Sequence, residues 1–97
     1  MGRDFRDVDP RELYLPSGGG ADPFKLQTQI ARFGASSVGM PTLWVYEAAD
    51  GLLVVYNGIT RAFRIAKLAP GTTVPVGGVG NLRRAYAGAP KIGDLLP

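Results

Sequence analysis

Apolar residues recur along this chain in two rhythms, and each rhythm marks a different kind of element. Between Asp22 and Gly34, the residues Phe24, Leu26, Ile30, Ala31 and Phe33 supply an apolar side. Lys25, Thr28, Gln29 and Arg32 recur on the other side at spacings of three to four. That period predicts a helix. Asp22 can accept from the free N–H groups at its start and Pro23 suits the first helical position, so the helix should run to about Arg32 with Gly34 as its stop. The rhythm then changes. Leu43 to Glu47 and Leu52 to Tyr56 are rich in β-branched and aromatic residues, and Ala48-Ala49-Asp50-Gly51 between them carries turn chemistry, which predicts a β-hairpin. Helical spacing returns over Thr60 to Ala69, with Thr60 placed to cap or to sit in the first turn, and Pro70-Gly71 ends it.

Shorter signals fill the rest. Phe5 to Val8 reads as a short strand, and Asp9-Pro10-Arg11-Glu12-Leu13 as a tight turn or one helical turn leading to Pro16. Ser17-Gly18-Gly19-Gly20 reads as a loop. Thr72 to Val76 is a further short strand, in which Pro75 points to an edge or terminal position, and Gly77-Gly78-Val79-Gly80 reads as another loop. Residues 81–97 carry the weakest pattern, with Asn81 to Tyr86 as a candidate short helix. The order strand, helix, hairpin, helix, strand predicts an α+β fold: one domain over residues 1–97, with a small mixed sheet and two main helices. Short connections allow both helices to pack on the sheet with their N-termini at one cleft.

Composition narrows the chemistry. A chain of 97 residues with 14 glycines and 8 prolines builds a thin core between many turns. It has no cysteine and no histidine, which excludes disulfides, thiolate metal sites and every mechanism that rests on imidazole. Asp, Glu, Lys, Arg, Thr and Tyr remain, together with an oxygen-bound magnesium ion. No segment approaches the roughly 20 apolar residues of a membrane span, so no membrane partner is expected. The start lacks the apolar core of a secretory signal, which fits a cytoplasmic protein or a module delivered as part of a larger one. Residues 1–56 carry five basic and seven acidic side chains, whereas residues 57–97 carry six basic and one acidic. The basic second half favours nucleic acid, a nucleotide or an acidic protein as partner, and equally fits a solvated surface.

The sharpest candidate site is Asn57-Gly58-Ile59-Thr60-Arg61, where a strand feeds the second helix. Unpaired N–H groups at a helix start attract anions. Gly58 permits close backbone approach, Thr60 offers a hydroxyl, and Arg61 a forked cation; Arg64 and Lys67 continue a basic strip at three-residue steps. By spacing alone the same residues also fit a plain turn, a cap and the wet face of an amphipathic helix.

The run Leu53-Val54-Val55-Tyr56-Asn57-Gly58-Ile59-Thr60-Arg61, through Ala66-Lys67-Leu68 to Thr72-Thr73-Val74-Pro75-Val76, resembles the ParB-like nuclease domain. In that family an apolar strand enters a Gly-x-x-Arg turn, an Ala-rich helix follows, and a short Val-Pro-Val type strand closes the unit. Asp22-Pro23-Phe24-Lys25-Leu26-Gln27-Thr28 is similar to the corresponding helix of sulfiredoxin. The resemblance covers about residues 5–76 and leaves 77–97 unassigned. It implies a ParB/sulfiredoxin-like fold in which Lys25 and Thr28 face the turn, and Lys25, Thr28, Asn57, Gly58, Thr60, Arg61 and Arg64 bind phosphate or a nucleotide. Arg61, Thr60 and Lys25 are then the candidates for catalysis.

Where sulfiredoxin has Cys and His in this turn, the chain has Ile59 and Thr60, so that chemistry is excluded. Of the Glu-Arg-Arg of partition-type ParB proteins only Arg61 is kept, which counts against CTP binding in their manner. Tyr46, Glu47, Asp50, Arg83 and Arg84 are secondary candidates that fit strand, turn and surface roles as well, and Trp44 reads as a core or strand-face aromatic. The resemblance thus implies a nuclease-type domain acting on nucleic acid, in the manner of the C-terminal toxin module of a larger bacterial protein that an acidic immunity-type protein would inhibit. A magnesium ion would serve it. The alternatives are an ATP- or CTP-binding or phosphotransfer domain and a non-catalytic interaction domain with an acidic partner.

Overall fold

The computed structural model describes residues 5–16 and 20–96, so most of the Ser17–Gly20 loop lies outside the described residues. It is a small α+β domain. Strands β1 (Phe5–Val8), β2 (Leu43–Glu47), β3 (Leu53–Asn57) and β4 (Val74–Asn81) form a sheet, and helices α1 (Pro23–Phe33) and α2 (Ile59–Leu68) lie to one side of it. The strand order is β1-β4-β2-β3; β1 with β4 and β2 with β3 are antiparallel, and β2 with β4 is parallel. Among the described residues no helix is long and apolar enough to cross a membrane.

The predicted boundaries of α1 hold for local reasons. Asp22 accepts from the N–H groups of Phe24 and Lys25, Pro23 occupies the first turn, and Gly34 ends the helix at a φ of 58°. In the hairpin, Ala48 and Leu52 close a loop in which Gly51 takes a φ of 84°. Asp9 caps a 3-10 turn over Pro10–Glu12, from which Arg11 Nη1 reaches the Ala66 carbonyl of α2 at 2.9 Å.

Four expectations change. Gly77 to Gly80 form no loop but the body of β4, because the rings of Trp44 and Phe5 occupy the space a Cβ on Gly77 would need. Residues 81–86 are not helical; Asn81 ends β4, and beyond it Leu82 and Tyr86 pack with Ala48 and Val54. Pro75 belongs to an interior strand, yet it lies near the strand's start, before β2 joins at Val76, where only β1 pairs with it. Finally, α1 packs against α2 and not chiefly on the sheet. None of its residues is fully buried, and its C-terminal half and the Gly34 that ends it meet Arg64 in the middle of α2.

The main core lies between the sheet and α2. Leu43, Val45, Val55, Val74 and Val76 point inward to Ala62, Phe63, Ile65 and Ala66, with Leu13, Leu15 and Ile92 closing the rim. Five consecutive residues of α2, Ala62 to Ala66, are buried, so this helix is enclosed and only Lys67 of its basic strip is freely exposed. The sheet also curls. Tyr14 donates to Leu53 and accepts from Val55, and Leu13 accepts from Ile92, which adds a short fifth run beyond β3. Crossing from β1 to that run over a flat sheet would span about 19 Å, which the chain between Val8 and Tyr14 barely reaches at full extension and not with a 3-10 turn in it.

Candidate functional site

The site is built where β3 hands the chain to α2. Gly58 is the N-cap in the left-handed region, with φ 108° and ψ 24°, and no side chain caps the helix. Thr60 therefore sits in the first turn and does not cap it. A Cβ at Gly58 would lie 2.5 Å from Leu43 Cδ2 and 2.9 Å from Arg61 Nη2. The missing side chain is what lets the guanidinium fold back over the helix start, which accounts for the Gly-x-x-Arg spacing: residues three apart share a helix side. Arg61 Nη2 donates to the Thr42 carbonyl at 3.3 Å, while its Nε is buried without a hydrogen-bond partner.

Arg64, one turn on, is only 2% exposed. Its Nη1 donates to the carbonyls of Gly34 and Ser36, each at 2.7 Å, and Nε donates to Gln29 Oε1 at 3.4 Å. The group also lies 5.3 Å from the Phe33 ring centroid. It thus satisfies carbonyls that the end of α1 leaves free, at the negative end of that helix. Burial lowers the pKa of both arginines, and both remain cations.

Arg61 and Arg64 line one cavity of about 110 Å³, walled by Phe33, Val38, Met40 and Pro41 with Ser36 and Gly39. None of the described residues lining it is acidic. Two guanidiniums facing a small apolar-walled space suit an anion and do not fit a magnesium ion, which needs oxygen donors. Among the described residues no group of three or more acidic side chains is placed to hold a metal elsewhere.

Thr28 does not face the Gly58–Arg61 turn as expected. Leu26 and Gln29 mark the side of α1 that faces the core and Arg64, and Thr28 stands roughly 160° round the helix from Leu26. Thr28 Oγ1 donates to the Phe24 carbonyl, and the residue lines an open groove with Phe24, Gln27, Ala31 and Arg32 on the outer face of α1. Lys25 is exposed on the flank of the helix, and Asn57 is exposed at the end of β3. Of the residues read as a site, Gly58 lies against Arg61 and Arg61 shares a cavity with Arg64, whereas Lys25, Thr28, Asn57 and Thr60 do not line that cavity.

The secondary candidates have structural partners. Asp50 accepts from the N–H groups of Tyr86 and Ala87 at 3.0 and 2.8 Å; desolvation works to raise its pKa, and these backbone bonds outweigh it and hold the carboxyl below its usual range. Glu47 pairs with Arg6 at 3.7 Å, Arg84 lies 4.9 Å from the Tyr86 ring centroid, Arg83 is exposed, and Tyr46 makes an edge contact with Tyr56. The cavity wall at Phe33, Val38, Met40 and Pro41 went unmarked in the sequence. The Arg61–Arg64 spacing is a signal for two guanidiniums on one helix side, but nothing in the pattern shows which loop covers them. No protein-family model matches the chain, and no curated protein matches it.

Proposed function

We propose that this chain is a phosphate-recognising domain directed at nucleic acid, of the ParB-like nuclease type. The observation that supports this reading is the pair of arginines lining one small cavity between α2 and the segment that follows α1, with no acidic residue among the described residues that line it. A phosphate entering there meets two guanidinium cations at once, each able to donate to its oxygens. Arg64, held by two carbonyls, contributes a fixed second charge that costs no reordering when the anion arrives. In strand cleavage the same two guanidiniums would stabilise the extra charge that builds on the phosphate. A nucleotide such as ATP or CTP presents the same group to the same cavity.

Digestion of plasmid DNA and of RNA, with and without magnesium, and calorimetric titration with ATP and CTP test the proposal on one preparation. Cleavage or nucleotide binding that disappears in Arg61→Ala, with the circular dichroism spectrum unchanged, is the expected result. Intact nucleic acid together with no nucleotide heat in the native chain overturns it.

A further inference from the structure

The face of the sheet turned away from α2 carries aromatic rings where a soluble sheet ordinarily carries polar side chains. Phe5 meets Trp44 edge to face with ring centroids 5.8 Å apart, and Tyr46 meets Tyr56 in the same manner at 5.2 Å. Phe5 and Tyr56 are each 59% exposed. Between the rings runs β4, whose Gly77 and Gly80 contribute no side chain: a Cβ on Gly77 would overlap Trp44, and one on Gly80 would lie 3.3 Å from Tyr46. The result is a shallow aromatic platform. Its exposed large side chains are aromatic, whereas the exposed aliphatic residues Val38, Leu68 and Leu95 are outside these strands.

We infer that this platform binds single-stranded nucleic acid by stacking its bases on Phe5, Trp44, Tyr46 and Tyr56. Every base has a ring face, so a row of aromatic side chains on the part of this face that Leu82 and Tyr86 leave uncovered takes unpaired bases, whereas the bases of a duplex are already stacked. Charge supports a polyanion. The chain is net +3, and six of its basic side chains against one acidic fall in residues 57–97, among them the exposed Arg83 and Arg84 just past the end of β4. The inference deepens the phosphate reading by naming unpaired strands as the substrate class.

Trp44 is the chain's only tryptophan and reports on the platform directly. Titration with oligo(dT) is expected to quench its fluorescence, and a duplex of equal length to bind more weakly. Because stacking on an aromatic side chain contributes roughly five- to hundredfold in affinity per base, Phe5→Ala and Tyr56→Ala should each weaken anisotropy-detected binding by about that factor, with Tyr56→Phe restoring it. Both side chains are largely exposed, so the variants should fold. Unquenched Trp44 at saturating oligo(dT), or wild-type affinity in both alanine variants, overturns the inference; so does self-association or capture of an acidic protein through this face without oligonucleotide binding. Arg61→Ala separates the two readings: retained quenching with lost cleavage and nucleotide binding supports both sites, while quenching in a native chain that neither cleaves nor binds nucleotides leaves the platform standing and removes the cavity.

Discussion

Replacing Arg64 by methionine asks whether this arginine belongs to the fold or to its wet surface. Methionine keeps an unbranched apolar stem and removes the cation, so the two 2.7 Å bonds to Gly34 and Ser36 are lost while most of the packing stays. Charge-assisted hydrogen bonds contribute about 1.5–3 kcal/mol each. Ser36 is exposed, and water will replace part of its bond. Methionine also relieves the desolvation of a group that is 2% exposed, which reduces the loss further. The net destabilisation comes to ~2 kcal/mol, out of about 5–15 for a domain of this size. In a chain of 97 residues that lowers Tm by roughly 8–16 °C. Lys67→Met, three residues on and exposed, is the control and should stay within about 0.5 kcal/mol. Urea unfolding followed by circular dichroism measures both. Equal midpoints for the two variants would refute the assignment of Arg64 as the tie between α1 and α2.

Other perturbations separate fold from site. Arg61→Ala loses one long bond to the Thr42 carbonyl and relieves the burial of an unpartnered Nε, so the urea midpoint should move by no more than about 1 kcal/mol in stability, while the response to phosphate ligands in calorimetry is abolished. Gly58→Ala forces a side chain into the left-handed region at about 1–2 kcal/mol and into Leu43 besides, so a melt is expected to show a clear fall in Tm; an unchanged melt would contradict the close approach of Arg61 to the backbone. Asp50 has a lowered folded pKa, so its contribution is fully present above the unfolded value of 3.8 and is lost as pH falls through the lower folded value. Asp50→Ala should therefore destabilise at pH 7 and flatten the acid side of the stability curve, which melts from pH 2 to 7 will read.

Elements with local punctuation were legible in the sequence. Asp22-Pro23 and Gly34 bracket α1, and Asp50-Gly51 makes the hairpin turn, because caps and turns are settled within a few residues. The glycines of β4 were not legible, since their meaning lies in Trp44 and Phe5, far away in sequence. The same holds for Arg64 and Lys67, which look alike by helical spacing until α1 covers one of them. At the site, the Gly58–Arg61 pairing is an i, i+3 relation and could be read directly. Which face of α1 meets α2 depends on how two helices pack, and the expected partnership of Thr28 with Arg61 failed at that step.

The last strand of the chain lies in the interior of the sheet, and this orders the events of folding. When the hairpin and α2 leave a ribosome they have no sheet to join, for β2 pairs with β4 on its other side, and β1 has waited since Val8 for partners that begin at Val74. Pairings across such long stretches of chain place a small domain among the slower two-state folders, in milliseconds to seconds. Until Asn81 is made, the hairpin exposes an unpaired strand edge beside a row of aromatic rings. The nascent chain is therefore most open to wrong pairing just before its final quarter appears.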